Sequence, residues 1–363
     1  MVRARAFRSG ALRDSRPRVG RSHGGGALMA VAVNETARAP RWITGVELAT
    51  MHIEPREQLI QGLLPAEGCV LLAADPKAGK STLCLELCRA VCTGTPALET
   101  LTAQQGGALF WMADDTARDR FVLNYQKTFQ NEPLLNFEVF LDRQTLYGGG
   151  FDLLRTALER TCARLAIIDC LTAVRNSRDE ADDFVQQEYD ELRDLSTIGR
   201  EFHCCIVVIH HLSSSRRASG PNPFIGMAGS FALTGGADGL VTLGLFSMTR
   251  RERIVTAVHR DGLPTRFLYA MDATNGRLFW VGPDEWVSHW DDIVQAYRTL
   301  QGSTFDGKEL GEALGISDRA GRAKLARWRT AGLVEDVGGK KHVWAHALVD
   351  VMRRLLAKPE VRV

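Results

Sequence analysis

Long apolar runs, zinc-ligand spacings and a strong overall charge are all missing from this chain. Its 363 residues contain no stretch near the ~18 consecutive apolar residues that span a bilayer, which excludes a transmembrane helix. The eight cysteines, Cys69, Cys84, Cys88, Cys92, Cys162, Cys170, Cys204 and Cys205, show none of the paired Cys or His spacings of a zinc site. Most lie in apolar runs, and Cys84, Cys88 and Cys92 recur every four residues as on one helix face. They read as small buried side chains in a reduced, cytoplasmic protein. No early apolar segment with a small-residue cleavage site follows the basic start, which argues against secretion. The formal net charge is only +2, yet it is partitioned: +7 over residues 1–42, +5 over 296–363 and −10 between them. An acidic body with basic ends makes any nucleic-acid contact local. What is present is ordinary globular composition, 45% apolar and 24% charged, which excludes a wholly disordered chain. The length accommodates about two domains plus tails at ~150 residues per domain.

Residues 1–42 are arginine-rich, aperiodic and carry Gly24, Gly25 and Gly26, so they cannot bury a core and read as a disordered tail. The same composition resembles an organellar transit peptide, and Met29 is a second candidate start. After the tail, apolar runs at 69–73, 108–112, 165–169, 204–210 and 240–244 alternate with helical patterns at 81–92, 117–129, 152–163 and 181–197. This alternation predicts an α/β fold, a mostly parallel sheet with flanking helices. From 242 to 282 the pattern turns to short strands, with an Asn275-Gly276 hairpin signal.

The segment GCVLLAADPKAGKSTLCLELC (68–88) runs from a strand through Gly-Lys-Ser-Thr into an apolar helix. That is the setting of a P-loop, in which exposed loop amides and a helix N-terminus form an anion nest. The candidate nucleotide-binding residues are therefore Ala74, Asp75, Pro76, Lys77, Ala78, Gly79, Lys80, Ser81 and Thr82. Lys80 is expected to reach the β/γ-phosphates of ATP and Ser81 to bind Mg²⁺. Ala74 replaces the motif's first glycine; because Ala disfavours φ > 0, the turn into the loop is expected to differ slightly. About ninety residues on, RLAIIDC ends a buried strand in Asp169, placing a carboxylate where the Mg²⁺ shell would lie. Asp114 and Asp115, after the ALFWM strand, are candidates to orient or deprotonate an attacking water. Asp115 also reads as a cap for the helix that follows.

With these strand ends identified, residues 54–283 resemble the RecA-type ATPases of the plasmid RepA hexameric helicase group, over roughly two-thirds of the chain. The resemblance rests on LIQGLLPAEGCVLLAADPKAGKST, LFWMADDT, IVVIHHLSSSRR, GMAGSFALTGGADGLVTL and AVHRDG. It implies a ring, ATP between subunits and DNA-facing loops. It also implies Asp114 as the catalytic carboxylate, His211 as a γ-phosphate sensor and Arg260 as an arginine finger for a neighbouring subunit. Two departures stand out: Asp114 where the family has Glu, and Val258 where many relatives carry lysine. His210 reads equally as a core histidine. Arg216 and Arg217, in the loop 213–226, are candidate DNA contacts.

Residues 292–347 read as three helices and a two-stranded wing, and resemble winged helix-turn-helix domains. Arg319, Arg322 and Arg329 share a basic face of the third helix, Leu325, Trp328 and Leu333 face inward, and Lys340 and Lys341 lie at the wing. The expected organisation is a basic tail at 1–42, a RecA-like P-loop ATPase domain at 43–285, the winged domain at 292–347 and a helical tail at 348–363. Two functions are compatible with this reading. One is an ATP-dependent DNA motor or remodeller of the plasmid-replication type, with DNA, other copies of the chain and replication or recombination proteins as partners. The other is a non-motor, nucleotide-gated DNA-binding regulator or loader.

Overall fold

A computed structural model describes residues 42–52, 55–75, 77–114, 118–129, 132–175, 184–211, 235–245, 250–260, 262, 264–272 and 274–357. The chain forms two compact units, 1–54 and 55–363. The described part of the first holds one short helix, Gly45–Thr50. It is closed by a capping box in which the Glu47 amide donates to Thr44 Oγ1 at 3.2 Å and the Thr44 amide to Glu47 Oε2 at 2.8 Å. The arginine-rich stretch up to residue 41 lies outside the described residues.

The second unit opens with a small hairpin, β1 (Gln58–Ile60) and β2 (Leu64–Pro65). Strands β3 (Gly68–Ala74), β4 (Gly107–Met112), β5 (Phe137–Phe140), β6 (Ala163–Asp169), β7 (Cys205–His211) and β8 (Gly239–Leu245) follow. They are separated by helices, principally Lys80–Thr93, Arg118–Phe129, Phe151–Thr161 and Phe184–Glu201. β9 (Glu252–His259), β10 (Thr265–Met271) and β11 (Leu278–Pro283) then run as an antiparallel meander. All nine strands from β3 onward form one sheet, ordered β11-β10-β9-β8-β3-β7-β6-β4-β5. The six strands β8 to β5 in that order are mutually parallel, and β9 joins β8 antiparallel. The α/β class expected from the alternating pattern is the class observed.

The reason lies in β3, whose seven residues are all buried, as in a strand covered on both faces. Its side chains alternate: Val70, Leu72 and Ala74 pack with Leu83, Cys84, Leu87 and Cys88 of the helix Lys80–Thr93. Cys69 and Leu71 pack on the other face with Leu192, Leu195 and Ile198 of Phe184–Glu201. The periodic cysteines are core side chains of this kind.

Beyond the sheet lie helices Trp290–Leu300, Gly307–Leu314 and Asp318–Thr330, the hairpin β12 (Val334–Gly338) and β13 (Lys341–Trp344), and a last helix, His346–Leu356. Asp306 caps the second helix by accepting from the amides of Lys308 and Glu309, at 2.9 and 3.1 Å. These elements share one core with the antiparallel end of the sheet: Trp290, Trp328, Phe305, Leu348 and Met352 cluster with Ile254, Leu268, Phe279 and Val281. Arg354 pins the last helix to the sheet side. Its Nε donates to Asp272 Oδ2 at 2.7 Å, its two Nη groups to Glu99 at 2.7 and 3.0 Å, and its guanidinium carbon lies 3.8 Å from the Phe279 ring centroid. No helix among the described residues is long and apolar enough to cross a membrane.

The second and third of the three helices cross at backbone contact. A Cβ on Gly321 would lie 2.1 Å from the Gly307 carbonyl oxygen and 2.9 Å from Gly311 Cα. Gly321→Ala must force the helices apart. It is expected to cost about 1–3 kcal/mol, read as a lower urea midpoint in tryptophan fluorescence. An unchanged midpoint would contradict the close approach.

Candidate active site

Strand register assembles the site. Ala74, ending β3, stands opposite His211 of β7, and Asp169, ending β6, stands opposite Met112 of β4. The Ala113 amide extends that ladder by donating to the Asp169 carbonyl at 2.9 Å, so Asp114 is the next residue out. Asp169 and His211 thus lie beside the loop at the carboxyl edge of the sheet, where open α/β sheets bind ligands, and Asp114 lies farther along that edge, after the strand three places from β3. His210 is turned into the protein and buried.

The loop backbone is unusual for a physical reason. Lys77 (φ 64) and Gly79 (φ 95) occupy the left-handed region, which turns amides toward a common centre ahead of the helix Lys80–Thr93. Gly79 does this freely, whereas Lys77 carries a cost of about 1 kcal/mol. Ala74, by contrast, is extended and paired in the sheet with both His211 and Leu243. The first motif position thus lies in the strand, with no left-handed turn at Ala74. Ala78 is buried, and Pro76 lies outside the described residues.

Lys80 is buried, and its Nζ donates to the carbonyl oxygens of Ala74 and Asp75, each at 3.1 Å. The ammonium also lies 3.3 Å from His211 Nδ1, which can only accept there, so the imidazole is neutral in this arrangement. Partial burial and the Lys80 cation both lower the His211 pKa, in keeping with that state. Burial lowers Lys80 as well, opposed by Asp169. Ser81 Oγ donates to Asp169 Oδ2 at 2.6 Å. Burial raises the Asp169 pKa, opposed by that hydrogen bond and by Lys80.

A hydroxyl and a carboxylate in contact are hard oxygen donors of the kind Mg²⁺ takes, and the described residues include no cluster of three or more metal-ligating side chains. Mg²⁺ commonly completes its shell with water and phosphate oxygens. Thr82 follows on the first turn of the same helix.

Arg260 stands apart from this group. It follows β9, whose last residue, His259, pairs with Gly239, itself opposite Val70. This places Arg260 about five residues below the level of Ala74, about 17 Å along the strand direction. Its backbone amide donates to the Asp238 carbonyl at 3.2 Å and its exposed guanidinium to the Gly235 carbonyl at 2.8 Å. Asp238 is a buried hub: its carboxylate accepts from the Cys69 amide at 3.0 Å, from Ser196 Oγ at 2.5 Å and from Arg200.

At the other end of β9 lies a residue the sequence reading missed. Arg253 pairs with Leu245, and its Nε donates to the Ala78 carbonyl of the loop at 3.1 Å. An arginine opening a strand carries no local signal; only the antiparallel return of β9 beside β8 brings it there.

Arg216, Arg217 and Asp115 lie outside the described residues. The remaining basic candidates belong to the C-terminal region, not to the loop. Arg319 and Arg329 are exposed, and Lys340 (φ 68) is at the tip of the β12–β13 hairpin. Arg322 is held by Asp318 through two hydrogen bonds, at 2.9 and 2.6 Å. Lys341 is turned onto Glu309 at 2.7 Å and Asp306 at 3.4 Å. A groove of about 560 Å³ is lined by Lys308, Arg322, Arg329, Lys340 and His342.

The profile of the AAA domain family matches residues 34–217. No curated protein matches the chain in sequence. Among solved structures, it is similar to the ATPase domain of G40P, with 15% identity and a TM-score of 0.44 over 59% of this chain and 84% of that one. It is similar also to a DnaB-like replicative helicase described with its interactions with primase, at 16% identity and TM-score 0.44 over 58% of each chain. A KaiC-like protein from the archaeon Pyrococcus horikoshii OT3 is similar at 14% identity and TM-score 0.43, over 62% of this chain and 98% of that one.

Ser81→Ala removes one of the two oxygens offered to the ion. It is expected to weaken Mg²⁺ binding in the presence of ADP by ~10–100-fold, measured by titrating the metal into the nucleotide-loaded chain. Unchanged metal affinity would remove Ser81 from the site.

Proposed function

The chain belongs to the AAA domain family, and on that premise we propose that it is an ATP-dependent DNA-binding motor of the plasmid or mobile-element replication helicase type. In this reading ATP is hydrolysed between the subunits of a hexameric ring in the cytoplasm. The observation that carries it is the separation of the two halves of the chemistry. Lys80, Ser81, Asp169 and His211 contact one another beside the loop, with Asp114 farther along the same edge, while Arg260 is held at the opposite edge of the sheet by the Asp238 and Gly235 carbonyls. An arginine so placed is far from its own loop, and in this reading would act on the loop of another copy.

The ATP phosphates would lie on the loop amides and the Lys80 ammonium. Ser81 and Asp169 would hold Mg²⁺, which neutralises charge on the phosphate oxygens when bound. Asp114 would orient a water and accept its proton as the water oxygen attacks the γ-phosphorus and the β–γ bridging oxygen leaves with the electron pair. Neutral His211, already against Lys80, would register the γ-phosphate at the end of β7 and pass its state to the segment carrying Arg216 and Arg217. Arg260 of a neighbour would stabilise charge in the transition state.

The C-terminal helices and hairpin would serve as a winged helix on duplex DNA. Arg319, Arg329 and Lys340 are open to phosphates there, whereas Arg322 and Lys341 must first leave their carboxylates. Replication or recombination proteins are further partners in this reading. A second reading, a nucleotide-gated DNA-binding regulator or loader, is favoured by Asp114 itself. Its side chain is one methylene shorter than glutamate, and a displacement of about 1 Å can cost ~100-fold in rate.

Steady-state ATP hydrolysis with and without single- and double-stranded DNA separates the two. The motor reading expects DNA-stimulated turnover that falls ~10³-fold in Arg260→Ala and partly recovers when Arg260→Ala and Lys80→Ala chains are mixed, because one complete interface then re-forms. Nucleotide binding with turnover no faster than Lys80→Ala would instead establish the regulator. Arg329→Ala and Lys340→Ala should each reduce the salt slope of duplex binding by about one.

A further inference from the structure

Arg253 joins the phosphate loop to the C-terminal region. The Ala78 residue is buried, so its carbonyl needs a protein partner, and Arg253 Nε supplies it at 3.1 Å. The same guanidinium turns its Nη1 to the carbonyls of Arg250 and Glu252, at 2.6 and 2.9 Å. One rigid, planar group therefore ties the loop backbone to the first residues of β9, a geometry that a lysine ammonium does not reproduce.

Those first residues grip the C-terminal helices. Buried Glu252 accepts from Trp290 Nε1 at 2.8 Å and from Arg250 Nη2 at 2.9 Å through a single oxygen, Oε1. Burial raises the Glu252 carboxyl, but these two hydrogen bonds, with a backbone hydrogen bond and the charge of Arg250, more than offset it and lower its pKa. Arg250 also pairs with Asp291, and Asp292 pairs with Lys324 on the helix Asp318–Thr330. Polar contacts thus lead from Ala78 through Arg253 and Glu252 to Trp290, and from Asp292, two residues on in the same helix, to Lys324 of the helix that bears the basic face. Trp290 itself lies in the apolar core with Ile254, Leu268, Trp286 and Trp328.

We propose that Arg253 is a positioning residue for the phosphate loop, and that through it nucleotide occupancy is coupled to the setting of the helices Trp290–Leu300 and Asp318–Thr330. The proposal rests on the nucleotide-binding part of the function above and is independent of what the basic helix contacts. Phosphate binding orients the loop amides, and a change at the Ala78 peptide alters the carbonyl that Arg253 holds. Because the other arm of Arg253 holds residues 250 and 252, the change reaches Trp290 through the buried Glu252 carboxylate and Asp291 through Arg250. Coupling of this kind is reciprocal, so the Trp290 contact must in turn affect nucleotide affinity.

Hydrogen exchange of the full chain with and without saturating MgADP tests this. In the wild type, peptides from 79–93 should slow and peptides from 290–300 and 318–330 should change as well. Arg253→Met, again at saturation, should keep the first response and lose the second, and Arg253→Lys should not restore it. Trp290→Phe keeps an aromatic ring but removes the N–H, and should shift the ADP Kd ~5-fold or more. The proposal is overturned if 79–93 is protected in the wild type without a response in the C-terminal helices. It also fails if that response persists in Arg253→Met, or if Trp290→Phe leaves the Kd unchanged. Absence of ADP binding and of any protection would overturn the nucleotide reading itself, and this proposal with it.

Discussion

Ser81 and Asp169 meet at 2.6 Å because the registers of β3 and β6 on either side of β7 set Asp169 about level with Leu72, two residues short of the end of β3. Everything chemical in this molecule depends on that alignment. A slip of one residue would turn every side chain of a strand to the other face, setting Val70 and Leu72 against the wrong helix and drawing Asp169 away from the loop. The apolar alternation of β3 between two cores therefore does more than stabilise the sheet. It fixes which strand-end side chains face the loop. At the opposite edge Asp238 performs the matching task, fastening β3, β8 and the helix Phe184–Glu201 with one carboxylate. Arg260 is carried by the same knot.

The antiparallel return of β9 has a second consequence. β9 carries Arg253 beside the loop and leads to Arg260 at the far edge, seven positions later, so the two arginines lie at opposite ends of the strand. The sheet also continues past the loop into β10 and β11, whose outer surface is covered by the C-terminal helices through a single core and by Arg354. An arrangement with a dry, interdigitated contact and buried polar links transmits displacement far better than a flexible linker would. This is the physical basis for regarding nucleotide site and C-terminal helices as parts of one device.

Much of this architecture was legible in the sequence. Apolar runs such as those at 69–73 and 165–169, and a Gly-Lys-Ser at a strand–helix junction, each have a local physical cause and were read accordingly. Short or weakly patterned pieces were not: β5 has four residues and β1 three, too few for any periodicity to register. That Ala74 belongs to β3 was not legible, because spacing does not reveal where a strand stops. Arg253 and the Glu252–Trp290 contact were invisible, since they depend on register between segments distant in sequence. The basic face of Asp318–Thr330 was legible as charge, but the carboxylates that hold Arg322 and Lys341 were not.

Calorimetric titration of the full chain with ATP in the presence of Mg²⁺, beside Lys80→Ala, tests the central claim most directly. The site described here requires one nucleotide bound per chain, with the bound fraction collapsing when the buried ammonium is removed. Equal binding by the two proteins, or none by the wild type, would contradict it.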